Sequence, residues 1–176
     1  RAVRMVPGEF EITSIVTRNE QRVGEISART GIPAVCELEK ALETKPDFVL
    51  LCVPREVMKD WIVRLMKRKI PVLCETPPGK DIGELNQLWK EKVRLGGNVQ
   101  VTEQYFLQPY YSAVIRLARS GLLGEISNMN MSAIHGYHAV SIFRKVLGIG
   151  CQDCAITGRR YRFPVAKTRD RAGWHE

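Results

Sequence analysis

The sequence predicts an α/β fold: a doubly wound parallel sheet, followed by the start of an α+β domain with an antiparallel sheet. Three observations predict it. Two short apolar strands, Asp47-Phe-Val-Leu-Leu-Cys-Val-Pro54 and residues 70–74 of Pro71-Val-Leu-Cys-Glu75-Thr-Pro-Pro78, both stop at proline-containing turns. The helical stretch between them, Glu56 to Lys69, has the length of a right-handed crossover, and two strands joined that way pair in parallel. The strand–helix alternation continues to Thr102 and changes character at Gln108-Pro109.

Each element has its own local signal. Residues 1–6 read as the end of a helix closed by Pro7-Gly8. Glu11 to Thr17 is rich in β-branched residues and reads as a strand. Asn19 can cap a helix from Glu20 to Thr30, which stops at Gly31. Ala34-Val35 is a short strand, and Glu37 to Thr44 forms a helical turn or two before Lys45-Pro46. Asp81 caps a helix from Ile82 to Leu95, ended by Gly96-Gly97, and Asn98 to Thr102 is the next strand. Beyond it come a helix from Gln108-Pro109 to Ser120, a strand from Gly124 to Met131, and a helix from His138 to Leu147 ended by Gly148. From Gly150 onward periodicity is weak, and no element is assigned. The domain boundary is expected near Thr102–Pro109, giving residues 1–104 and 105–176.

The order of elements raises a topological expectation. A Rossmann-like sheet runs 3-2-1-4-5-6. If Glu11–Thr17 is its second strand, the first strand precedes the helix that ends at Val6 and is absent from this sequence. Unpaired buried backbone groups cost about 1–3 kcal/mol each, so the two neighbours of that strand are expected to need it. On this reading both domains are incomplete, and no Gly-x-Gly-x-x-Gly occurs in the 176 residues.

Composition bounds the function classes. The apolar fraction of 44% and charged fraction of 26% are those of a globular protein. No apolar run approaches the roughly 20 residues that span a bilayer, so no membrane role is expected. The net charge of +8 is spread over helix faces (Arg64, Lys67 and Arg68; Lys90, Lys92 and Arg94) and concentrated in the tail, at Arg159, Arg160, Arg162, Lys167, Arg169 and Arg171. No nucleic-acid motif accompanies it, and no nucleic-acid partner is expected. Of the five cysteines, Cys52 and Cys74 read as buried strand thiols. Cys151 and Cys154 form one Cys-x-x-Cys without the two further ligands a structural zinc needs; no metal site is expected. The chain reads as cytoplasmic.

Ligands of such sheets bind just past the carboxyl ends of the strands. Cys52, Val53, Pro54, Glu75 and Thr76 are therefore expected at the site, with Thr17 and Arg18 after the earlier strand and Gln104 after the last. A carboxylate ending a buried strand is costly without donors. Cofactor ribose hydroxyls, or amides of the next turn, would satisfy Glu75. Arg18 stands where the adenosine ribose lies; an arginine there suits the 2′-phosphate of NADP, and a solvent-facing loop arginine is the competing reading.

Taken together, Val53-Pro54, Glu75-Thr-Pro77, Thr102-Glu-Gln-Tyr105, Gln108-Pro109, Ser120-Gly-Leu-Leu-Gly-Glu-Ile126 and the His138 helix resemble the glucose–fructose oxidoreductase / inositol dehydrogenase / MocA family of NAD(P)-dependent oxidoreductases. The resemblance runs from about Arg1 to Gly148 and rests on order and spacing. It implies a dinucleotide domain binding NAD or NADP and a C-terminal domain whose open sheet often serves a homo-oligomer. It also implies hydride transfer to or from a sugar, a cyclitol or a related small polyhydroxy substrate. His138 takes the position of the family's active-site histidine and has a suitable unperturbed pKa near ~6.5; a packed or capping histidine is the competing reading, and His135 a nearby rival. Thr76 stands where the family carries lysine, Ile134 and Ser141 where it often carries aspartates, and Met58 where a histidine often follows Val-Pro. Thr76 is too weak an acid to act alone and is left to hydrogen-bond or relay a proton. Lys80, four residues on, could fold back in its place. These departures motivate an alternative: a catalytically silent relative that binds dinucleotide or sugar as a sensor or subunit.

Overall fold

The computed structural model describes residues 2–6, 8–132, 136–150, 152–162, 164, 168–170 and 173–175. Ile134, the rival His135 and the Cys151 half of the Cys-x-x-Cys lie outside them. The chain divides into two compact units, Arg1–Gln104 and Tyr105–Glu176.

The first unit is a set of parallel strands and helices. It contains α1 (Ala2–Met5), β1 (Ile15–Val16), α2 (Gln21–Thr30), β2 (Ala34–Val35) and α3 (Leu38–Leu42), followed by β3 (Val49–Leu51), α4 (Arg55–Lys67), β4 (Val72–Cys74), α5 (Ile82–Leu95) and β5 (Val99–Val101). The strands are shorter than the sequence suggests, because the apolar runs extend past the residues that find a ladder partner. Two parallel sheets result: β1 pairs with β2, and β3-β4-β5 form a three-stranded sheet. Its register aligns Leu51 with Cys74 and Cys74 with Val101.

Period-2 alternation decides which strand side chains are covered. Leu51 is 6% exposed and its neighbour Leu50 is 54% exposed. The covered face receives α4, whose buried Met58, Ile62, Leu65 and Met66 follow helical spacing and form one stripe. They pack with Leu51, Val72 and Cys74 of the sheet, Leu88 of α5 and Leu38 of α3. Helix α3 also meets α4 through charge, since Glu39 accepts from Arg64 at 3.1 Å and pairs with Arg68.

Caps fix the helix ends. Asn19 Oδ1 accepts the Gln21 N–H at 3.0 Å, and Gly31 closes α2 with φ of 70°. Asp81 Oδ1 accepts the Glu84 N–H at 2.9 Å, and α5 ends at Gly96 with φ of 59°. At Gly97 an added Cβ would sit 2.2 Å from Met66 Sδ, so glycine is what lets β5 start against the core.

The second unit contains a 3-10 turn (Tyr105–Leu107), α6 (Pro109–Arg119), α7 (Gly136–Val146) and an antiparallel hairpin of β6 (Thr168–Asp170) and β7 (Gly173–His175). Ile115 of α6 meets Ile142 and Val146 of α7 in a small core. Two expectations need correction. Gly124 to Met131 forms no strand; an extended segment becomes one only beside an edge it can bond, and among the described residues none is offered. Ile126, Met129 and Met131 pack on the α6–α7 core instead. The hairpin lies in the tail that weak periodicity left unassigned.

Candidate active site

Parallel pairing in register brings the carboxyl ends of β3, β4 and β5 to one edge of the sheet. Cys52-Val53-Pro54, Glu75-Thr76 and Thr102-Glu103-Gln104 follow those ends. Backbone bonds carry the alignment past the last ladder residues. Glu75 N–H donates to the Leu51 carbonyl at 3.2 Å, Thr102 N–H to that of Cys74 at 2.9 Å, and Thr102 Oγ1 to the same carbonyl at 3.1 Å. The Thr76-Pro77 peptide is cis.

Glu75 differs from its expected setting. Its side chain is exposed rather than buried, and its Oε2 accepts the Thr76 N–H at 3.3 Å. The strand ends here and the chain turns, so the carboxylate stands at the rim with acceptor capacity to spare. Its charge is felt by two thiols. Burial first, and then the Glu75 carboxylate, push Cys74 up to about 11; the same two causes raise Cys52. Cys52 also corrects an expectation, being exposed where a buried strand thiol was expected. It follows Leu51 by one residue and so falls on the opposite side of the strand from the core.

The other candidates are distributed as follows. Thr17 and Arg18 follow β1 in the two-stranded sheet of the same unit; Thr17 N–H donates to Val35 at 2.9 Å, and Arg18 is exposed. Met58 faces the core at 2% exposure, so the position where the family often has histidine is spent on packing. Lys80 does not fold back. Its Nζ lies 3.4 Å from Glu84 Oε1, and its backbone N–H donates to Glu84 Oε2 at 2.9 Å. Those Lys80 bonds hold the Glu84 carboxyl below the usual range, the backbone one most strongly.

His138 belongs to the second unit. It sits in the first turn of α7, is 7% exposed, and lies between two rings, Tyr105 at 4.2 Å and Tyr137 at 4.4 Å between centroids. Tyr105 follows Gln104 directly in the chain, so the strand-end segment and the histidine's neighbour are covalent neighbours.

A groove of about 720 Å³ runs between α4 and α5, lined by Lys59, Arg64, Lys67, Lys90 and Glu91 among others. None of its lining residues is a strand-end residue. Several of its charges are already matched: Lys59 with Glu84, Arg64 with Glu39, and Glu91 with Arg94. It is a helix-side groove and not the candidate site.

Sequence reasoning missed Arg55. It is the first residue of α4, directly after Val53-Pro54. Its Nε donates to the Gly79 carbonyl at 3.2 Å, and its Nη2 hydrogen-bonds the Lys80 carbonyl. A cation directly after a strand-end proline was the available signal, but its partners lie in another loop and no periodicity points to them.

A co-registered parallel edge rimmed by a carboxylate is the architecture of a dinucleotide-binding domain, and residues 1–103 match the family model described as an oxidoreductase family with an NAD-binding Rossmann fold. The chain belongs to that family, GFO_IDH_MocA. The uncharacterized oxidoreductase ORF334 of Rhizobium meliloti is 25% identical over 119 residues, covering 66% of this chain and 36% of that protein. An oxidoreductase from Agrobacterium radiobacter, solved with NAD+, L-tartaric acid and magnesium, superimposes with a TM-score of 0.68 at 19% identity, over 84% of this chain and 50% of that one. The myo-inositol 2-dehydrogenase of Lactobacillus plantarum gives a TM-score of 0.59 at 15% identity, over 70% of this chain and 38% of that one. The chain thus spans little more than a third of its curated relative's length and half or less of these solved structures.

Proposed function

We propose that this chain is part of an NAD(P)-dependent oxidoreductase that transfers a hydride to or from a sugar, a cyclitol or a related small polyhydroxy compound. The alignment of the β3, β4 and β5 ends, inside a segment that matches an NAD-binding family, carries the reading. The donor set suits a dinucleotide. Glu75 offers an exposed carboxylate to ribose hydroxyls, Cys52, Val53 and Pro54 offer a turn of exposed and half-buried surface, and Gln104 offers an amide. Thr17 and Arg18 would serve the adenosine end, with Arg18 tolerating the phosphate of NADP.

When bound, the nicotinamide carries the hydride. The chain must supply the proton partner. Oxidation of a carbinol removes hydride from carbon and a proton from oxygen; reduction returns both. His138 is the group proposed to take or give that proton, because an imidazole carries one nitrogen that can donate and one that can accept. Its ring is held by Tyr105 and Tyr137, which limits its freedom to turn. Thr76 would hydrogen-bond or relay. The protein is proposed to work as a cytoplasmic homo-oligomer, without nucleic-acid or membrane partners.

A second reading has a specific observation behind it. The family's lysine is Thr76, and the nearest substitute, Lys80, is engaged by Glu84. A catalytically silent relative that binds dinucleotide or sugar would need neither. Absorbance of NADH or NADPH followed with a panel of keto-sugars decides between them. Turnover that His138→Ala abolishes supports the enzyme. Tight nucleotide binding with no turnover on any substrate supports the silent relative.

A further inference from the structure

We infer that Arg55 is a positioning residue for the dinucleotide rim: it staples the loop after β3 to the loop after β4 and so sets where Glu75 and Thr76 stand. The inference rests on the proposal that these strand ends hold the cofactor.

The loop from Glu75 to Asp81 is tied at both ends. At its start, Glu75 N–H is bonded to Leu51. At its far end two successive carbonyls, Gly79 and Lys80, both accept from Arg55, and the Lys80 N–H is held by Glu84. Gly79 is buried, and an added Cβ would meet Glu84 Cβ at 3.2 Å and Leu85 Cδ2 at 3.3 Å, so the loop's base sits close against α5. Between the anchors lie Glu75, Thr76, Pro77 and Pro78.

Arg55 suits the task chemically. It opens α4 directly after Pro54, so its own backbone belongs to the neighbouring strand end. A guanidinium is planar and presents several N–H donors in a fixed fork, which can reach two adjacent carbonyls at once. Charge-assisted bonds of this kind are roughly twice as strong as neutral ones. A lysine at the same place has a single donor head and no fork. Because Nε and Nη2 are spent on carbonyls, the residue's contribution is geometric.

The test uses the full natural chain with NADH and NADPH as probes, read by nucleotide fluorescence. Arg55→Ala is expected to weaken dinucleotide binding about tenfold, and Arg55→Lys about threefold, because the bonds lost order the loop and only part of their worth reaches the bound nucleotide. Amide hydrogen exchange in Arg55→Ala should speed up within 75–80 and stay unchanged in β5. Arg94→Ala, which removes an exposed pair on α5 with Glu91, should leave both readouts at the wild-type value. If Arg55→Ala does not fold, Arg55→Lys carries the test alone. Wild type that binds while both Arg55 variants bind equally well overturns the inference. Wild type that binds neither nucleotide overturns the cofactor assignment and the inference with it.

Discussion

The two units build order in different ways. In the first, a run of sequence-adjacent elements from β3 to β5 is its own scaffold. Each strand pairs with the next through a crossover helix, and the helix buries its apolar stripe on the strands it connects. Ile62, Leu65, Met66 and Cys74 are fully buried there. In the second unit α6 and α7 meet over Ile115, Ile142 and Val146, and of these only Ile142 is fully buried. The segment between those helices has an extended pattern and, among the described residues, no strand beside it. Parallel crossover units are satisfied by near neighbours; a lone extended segment is not. The same contrast holds for the proposed chemistry. The proposed cofactor rim is placed by sheet backbone bonds and by the Arg55 side chain on two loop carbonyls, whereas His138 is placed by ring packing.

Function should separate along the same line, and there the largest effect is expected. His138→Ala should lower turnover about 10²–10⁴-fold, the usual worth of a general acid or base, and leave NADH binding unchanged. Loss of nucleotide binding would break the division of labour between the units. Core truncation comes next. Leu65→Ala should cost about 3–5 kcal/mol and Ile142→Ala about 2 kcal/mol, the spread for buried aliphatic truncations depending on how tightly the site is packed. Denaturant titration of both variants checks this, and equal losses would erase the contrast. The Arg55 variants sharpen the rim side of it, with about a tenfold loss of binding expected.

Capping tests the local end of the scale. Asp81→Ala should cost about 1 kcal/mol, readable as a lower denaturation midpoint, because it frees the Glu84 N–H at the start of α5. A last, local test concerns pH. The Cys74 thiol is raised to about 11 in the folded chain, while an unfolded thiol titrates near ~8.5. Between those values the unfolded chain loses the proton and the folded one keeps it, so stability is fully present below the lower value and declines as pH rises toward the upper one. Cys74→Ala should flatten that decline in denaturant titrations from pH 8 to 11. An unchanged slope would mean that another group carries it.

The elements within residues 47–102 were legible in the sequence to about two residues at each end, because strand, crossover and cap signals there are all local. Asp81 and Gly96 mark their helix, and Val53-Pro54 and Glu75 mark strand ends. The exposure of Cys52 and Glu75 was not legible. That of Cys52 follows from which face of the strand the core covers, and that of Glu75 from where the ladder stops, a point the apolar run overshoots. The failure of 124–131 to become a strand has the same origin, since pairing belongs to two segments and the sequence displays one at a time.

By itself, then, the sequence determined the alternation of elements, their caps and the parallel sense of β3-β4-β5, since a helical crossover of that length is the connection that parallel neighbours need. Only the tertiary structure decided that Arg55 reaches Gly79 and Lys80, that Lys80 turns to Glu84, and that His138 lies between Tyr105 and Tyr137. Those are contacts between side chains and distant backbone or rings. They depend on three-dimensional distance, which periodicity along the chain does not encode.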